Sequence, residues 1–153
     1  MTSEIEIRPL RRDDRAQWEA LWQGYLTFYE QTLAQEITDT LFERLLGEGY
    51  HDALVAEREG KLVGFVHYLA HASTWAIAPT CYLEDLYVDA SIRGGGIGGK
   101  LIEGVYAAAE AKGCTNVYWH THHDNHTARR LYDHVGTLSK FVRYDKRRWE
   151  EPR

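Results

Sequence analysis

Two short stretches hold the residue types most able to do chemistry. WHTHHDNH, from Trp119 to His126, places four of the chain's eight histidines within eight residues. RGGGIGGK, from Arg93 to Lys100, places five glycines within six. Imidazoles at that density can ligate a metal, accept a proton, or hydrogen-bond to the wall of a cleft. His122 and His126 are i and i+4, a spacing that shares a metal only within one continuous helix. Asn125, a helix-capping residue type, interrupts that continuity, and no pattern supplies a third ligand or its hydrogen-bonded partners. The reading is no metal, with solvated or hydrogen-bonding histidines lining a cleft and His120 or His122 the one placed to assist a deprotonation.

The glycine run is compatible with three phosphate-binding patterns that physical requirements separate. A Walker-type loop, Gly94-x-x-x-x-Gly99-Lys100, needs Ser or Thr next to hold magnesium, and position 101 is Leu. A dinucleotide fingerprint, Gly94-x-Gly96-x-x-Gly99, follows a strand directly and takes an acidic residue at the end of the next one. Here Asp89 to Arg93 intervene, and the next apolar stretch ends in Trp119-His120. The third pattern, Arg-x-x-Gly-x-Gly, is met by Arg93, Gly96 and Gly98. Backbone N–H groups hold a pyrophosphate only where the chain approaches closely in unusual dihedrals, which glycine permits, and the start of a helix adds about 0.3–1 kcal/mol per negative charge. A turn that binds nothing is the alternative, although glycines at a helix start cost stability.

The elements that must position these stretches follow from periodicity and punctuation. Residues 4–9 alternate and end at Pro9, so a first strand is expected. Trp18, Leu21, Trp22, Tyr25, Phe28 and Tyr29 give a helix over about 12–30 one apolar face. A second helix, capped by Thr38 or Asp39, carries Leu41, Phe42, Leu45 and Leu46 and stops at Gly47. ALVAEREGKLVGFVHYLA reads as two strands turning at Glu59-Gly60-Lys61, and TCYLEDLYVD as a third. LIEGVYAAAEAK is a helix ended by Gly113, 116–120 a buried strand, Asn125 the cap of a helix to about Val135, and FVRYDK (141–146) a last strand. The expectation is one α/β domain over 1–153, with a mixed, mostly antiparallel sheet flanked by helices.

Composition sets the class. The chain has 153 residues, 44% apolar and 27% charged, five Trp and ten Tyr, which is a globular composition. No apolar run reaches the length of a membrane span, and no secretory leader is visible. Cys81 and Cys114 lack any C-x-x-C spacing, so two buried thiols and a cytoplasmic protein are expected. The net charge of −5 disfavours nucleic acid, and the basic run KFVRYDKRR reads as a solvated strand edge.

CYLEDLYVDASIRGGGIGGKLI, followed by Asn125, Ala128, Leu131 and Tyr132 in the spacing N-x-x-A-x-x-L-Y, resembles the GNAT superfamily of acetyl-CoA-dependent N-acetyltransferases. The YLED opening with the later Tyr is similar to the diamine (spermidine/spermine) acetyltransferases. These motifs cover roughly residues 81–136. The resemblance implies direct acetyl transfer to a small primary amine, a polyamine or amino acid. Protein lysine acetylation and a non-catalytic acetyl-CoA sensor are the alternatives. Strand alternation lets only one of Glu84 and Asp85 face a cleft, and the resemblance implies that Glu84 is the base. It further implies Tyr132 as the acid for the departing thiolate. Cofactor contacts would come from Leu86, Tyr87 and Val88, from Arg93, Gly94, Gly95, Gly96, Ile97, Gly98, Gly99 and Lys100, and from Asn125. In that fold Tyr25, Tyr29, Glu30 and Trp75, with Glu84 and His120, would line the acceptor side, where aromatic faces and carboxylates suit a cation. Pairing into a homodimer through the last strands is implied as well.

Overall fold

Alternating apolar residues in the middle of the chain form a five-stranded sheet, and the flanking amphipathic segments cover it. The computed structural model describes residues 4–92 and 95–146. Its elements are β1 (Glu6–Pro9), a one-turn helix (Arg12–Asp14), α1 (Arg15–Phe28), α2 (Gln35–Leu46), β2 (Asp52–Arg58), β3 (Lys61–His71), β4 (Thr80–Val88), α3 (Ile97–Ala111), β5 (Val117–Tyr118) and α4 (His126–Val135). The sheet order is β1-β2-β3-β4-β5. The first three pairings are antiparallel, and β5 joins β4 in parallel. This is the mixed, mainly antiparallel sheet with flanking helices that the periodicity implies.

Two cores sandwich the sheet. Trp18, Leu21, Trp22 and Leu26 recur at helical spacing on α1 and pack with Phe42 and Leu45 of α2 against Val55 and Phe65. Leu101, Ile102, Val105 and Ala109 of α3 pack on Val63, Val66, Tyr68 and Leu83 from the other side. Glu59 and Gly60, at φ 52° and 78°, make the two-residue turn between β2 and β3, since a mirror-image turn needs positive φ at both positions. Where β1 leads into α1, Arg8 donates to both oxygens of Asp14 and to Glu57, at 2.9 Å each. Arg8 and Asp14 are both buried, so this fork joins the edge of the sheet to the first helix.

Four expectations need correction. α2 begins at Gln35, a turn before Thr38, because Gln35 and Glu36 are good helix formers; Thr38 is buried inside the helix and Asp39 follows it. The strand at 116–120 shrinks to Val117–Tyr118 and is half-buried, and Cys114 likewise is only half-buried while Cys81 is fully so. FVRYDK forms no strand, for β5 is two residues long and offers no edge on which to extend a ladder. Phe141, Val142 and Tyr144 stand exposed there. The fourth correction lies in β4, at the heart of the site.

Candidate active site

Alternation along β4 fails at one residue. His67 pairs with Asp85 and the next residue, Tyr68, pairs with Leu83, so Glu84 is left as the extra residue of a β-bulge. Leu83 and Leu86 pack toward α3. Of the two residues between them, Asp85 bonds to Tyr25 of α1 and Glu84 to His51 just before β2, so neither carboxylate joins the α3 core, in contrast to the expectation that only one could face a given cleft. A bulge re-aims a side chain because two residues on one strand oppose a single residue on the other.

The two carboxylates are held differently. Tyr25 Oη donates to Asp85 Oδ1 at 2.7 Å, and His67 Nδ1 lies 2.9 Å from Oδ2. Trp18 Nε1 is 3.1 Å from His67 Nε2. Indole can only donate, so His67 Nε2 accepts and its Nδ1–H donates to Asp85. Both Asp85 oxygens are thereby engaged by a buried chain from Trp18 through His67. Burial, then the Asp85 charge, push the Tyr25 phenol far above its ordinary value, so it stays a donor. Glu84 is 44% exposed and among the described residues bonds to His51, whose Nε2 lies 2.6 Å from Oε1. The hydrogen bond to Glu84 raises the His51 pKa, against desolvation. Nothing local in the sequence marks His51: it sits just before β2, two strands away from Glu84, and only the sheet register brings them together.

On its other edge β4 is largely free. Among the described residues it pairs with β5 only at Cys81 with Val117 and Tyr82 with Tyr118. Beyond these positions the strands part, which leaves the β5-facing main chain of Leu86, Tyr87 and Val88 unpaired by β5. α3 then begins at Ile97 after Gly95 and Gly96, whose φ values of 81° and 62° are left-handed. Gly98 and Gly99 admit Leu131 of α4, which lies 3.3 Å from the Cβ an alanine at 98 would carry. Ile97 is buried in the core and Lys100 is exposed. Arg93 and Gly94 lie outside the described residues. The first N–H groups of a helix have no partner within it, so the start of α3 and the β5-facing edge of β4 beyond Tyr82 both offer free amides.

Tyr132 comes from α4, capped as expected by Asn125, whose side chain accepts from Ala128 N at 3.3 Å. Its ring meets Trp119 edge-on at 5.6 Å. Burial, with a smaller contribution from Tyr29, pushes its phenol up to about 12. Tyr29 packs against Tyr25 at 4.9 Å and against His122 at 5.3 Å, so Tyr25, Tyr29 and His122 form one aromatic wall. A second wall is built by Tyr82 and Tyr118, stacked at 4.9 Å, with His120 edge-on to both. Glu30 turns out into solvent at φ 55° as α1 ends. Trp75, in the loop from β3 to β4, is 87% exposed; the structure does not draw either into the wall. His123 and His126 are exposed, and no group of three metal-ligating side chains is present among the described residues.

Residues 15–137 match the Acetyltransferase (GNAT) family. The chain is 34% identical over 149 residues to the D-amino-acid N-acetyltransferase of Saccharomyces cerevisiae, covering 95% of this chain and 92% of that protein. It is 39% identical over 75 residues to the thialysine N-epsilon-acetyltransferase of Bos taurus, which covers 49% of this chain and 44% of that protein. Its fold is similar to that of an aminoglycoside N-acetyltransferase solved in complex with CoA, with TM-score 0.84 at 18% identity over 97% of this chain and 98% of the other. A ribosomal-protein-alanine N-acetyltransferase from Brucella melitensis aligns with TM-score 0.78 at 24% identity, over 94% and 99% of the two chains.

Proposed function

The chain belongs to the acetyltransferase (GNAT) family, and from that premise we propose that this enzyme moves an acetyl group from acetyl-CoA to the primary amine of a small molecule, an amino acid or a diamine. The observation that carries the assignment is the contrast within β4. Asp85 has both oxygens occupied, while Glu84 is half-exposed with the His51 imidazole beside it and its charge acts on Tyr25, Tyr82 and Tyr118. A carboxylate so placed can take a proton from an incoming ammonium. Aromatic faces and negative charge favour a cation there. The relatives named for D-amino acids and for thialysine support a small amine, with polyamines the finer possibility that the YLED motif raises.

The β5-facing edge of β4 and the start of α3 suit the co-substrate. Amides at the start of α3, after two left-handed glycines, suit a pyrophosphate, and the β5-facing amides within Leu86 to Val88 suit a carbonyl whose charge grows during transfer. Bound there, acetyl-CoA supplies the activated thioester. Glu84 receives the ammonium proton, Leu86 to Val88 polarise the carbonyl, and Tyr132, still protonated at neutral pH with its phenol pushed up to about 12, holds a proton for the leaving sulfur. No metal is required, because fixed amides and a helix end provide the positive potential.

We further assign residues 1–153 to one domain, a homodimer to the apolar side chains exposed at Phe141, Val142 and Tyr144, and the cytoplasm as the compartment, since Cys81 is a free buried thiol. A panel of D- and L-amino acids, diamines, spermidine and lysine peptides, followed by release of free thiol from acetyl-CoA, tests the function. Saturable turnover of free amines is expected. Turnover of peptides alone would replace the reading with protein acetylation, and binding without turnover would make the chain a sensor.

A further inference from the structure

A base that accepts a proton on every turnover must lose it before the next, and the site holds a group placed to receive it. We propose that His51 takes from Glu84 the proton given up by the acceptor ammonium and passes it to water. This rests on Glu84 being the base. The Nε2 atom lies 2.6 Å from Glu84 Oε1, slightly shorter than the usual charge-assisted N–H···O bond. The His51 side chain is 30% exposed, so one side of the ring touches the carboxylate while the residue still reaches solvent. Neither of the two histidines of WHTHHDNH expected to assist a deprotonation occupies such a position: His120 lies against Tyr82 Oη, and His122 against Tyr29.

The sequence of bonds balances. The ammonium N–H breaks as an O–H forms on Glu84. That O–H then breaks as the neutral imidazole gains a proton on Nε2, and the imidazolium releases its Nδ1 proton to water, restoring the carboxylate; proton exchange with water then returns the ring from the Nε2–H to the Nδ1–H tautomer, so that Nε2 can accept again. The charged groups acting on His51 are Glu84 and Asp85 from β4 and Asp52 from β2. All three favour the imidazolium, so the relay opens only where pH exceeds a midpoint raised above the ordinary histidine value of 6.5. Asp85 does not compete for the role, being occupied by Tyr25 and His67. Since His51 acts through Glu84, it is a positioning and proton-carrying residue rather than a catalytic one.

His51→Gln keeps a hydrogen-bonding side chain but cannot titrate, and His51→Ala opens a space for free imidazole. With the best amine of the panel, His51→Gln is expected to lower kcat by about 10²-fold, with KM little changed and the rise of rate with pH abolished. Imidazole should restore His51→Ala, which a structural role would not allow. Thermal melts and coenzyme A-dependent stabilisation establish that both variants are folded. Wild-type kcat and pH profile in His51→Gln overturn the relay, as does a His51→Ala defect that imidazole leaves unmoved. Glu84→Gln separates the two levels: an inactive Glu84→Gln with fully active His51 variants removes the relay alone, while an active Glu84→Gln removes the base assignment beneath it.

Discussion

Glu84 and Asp85 are sequence neighbours whose carboxylates both find partners outside the α3 core, because β3 advances one residue from His67 to Tyr68 while β4 spans two from Asp85 to Leu83. The bulge gives a single strand two acids in different settings. Asp85 is tied to Tyr25 and His67. Glu84 is half-exposed, and its partner His51 can itself carry a proton.

Neutralising each acid should therefore have opposite signatures. Glu84→Gln is expected to lower kcat by about 10²–10⁴-fold with a melting temperature near that of the wild type, since the side chain is half-exposed. Asp85→Asn presents an amide N–H to a site surrounded by donors. Leaving a buried donor unsatisfied costs about 1–3 kcal/mol, and about 2–4 °C of Tm accompanies each kcal/mol at this size. Steady-state kinetics and calorimetry on the pair test this; equal stability losses would mean that the two acids share one role.

Much of this arrangement was legible in the sequence. The strand and helix periods of 53–70 and about 12–30 predict the layers, and Asn125 does cap α4, because these signals are local. The rings of Tyr25 and Tyr29 pack on each other. The bulge at Glu84, the parting of β4 from β5 and the approach of His51 depend on pairing between residues far apart in the chain, which local pattern cannot encode. FVRYDK carries a strand's alternation without a partner edge, and Trp75 an aromatic side chain without a surface to pack on. In both, composition suggested an environment that the topology does not provide.

Tyr132→Phe should separate chemistry from packing. The ring contact with Trp119 survives the change, so stability is expected to stay within about 1 kcal/mol, while kcat falls by about 10²-fold if the hydroxyl supplies a proton. With the phenol pushed up to about 12, wild-type kcat should show no loss from this group up to about pH 10. Stopped-flow release of thiol across pH measures both. Unchanged turnover in the variant would return Tyr132 to the core.

Gly24 sits mid-helix in α1, where alanine is ordinarily better by about 1 kcal/mol. A Cβ there would lie 2.7 Å from Tyr87 Oη and 3.1 Å from its ring. That ring is boxed in by Tyr25 and Phe65. Gly24→Ala is thus expected to lower the Tm and to weaken coenzyme A binding by shifting Tyr87 on β4. Adding Tyr87→Phe removes the closest atom and should recover part of the loss. A double-mutant cycle by calorimetry measures the coupling, and strict additivity would refute the contact.

Arg8, Asp14 and Glu57 should set the acid limit of the fold. The hydrogen bond from Arg8 holds the Asp14 carboxyl below its ordinary value of 3.8, and the Arg11 backbone N–H adds to the effect. A carboxylate with a lowered folded pKa contributes stability that is complete above the unfolded value and lost as pH falls through the folded one. Stability from this group is accordingly flat from pH 7 to about pH 5 and declines below 3.8. Asp14→Asn leaves the buried Arg8 charge without its main partner, a loss of about 3–5 kcal/mol, so at neutral pH the variant should unfold at markedly lower urea. The gap to wild type should then narrow as pH falls below 3.8, where the carboxyl protonates first in the unfolded chain and, at the lowered value, in the folded one. Glu57→Gln, which relaxes only the more exposed arm of the fork, should lose less and provides the comparison if Asp14→Asn is too unstable to purify. Urea titrations at pH 7, 5 and 3 decide the matter: a gap between wild type and variant that stays constant across them would place the acid sensitivity elsewhere in the fold.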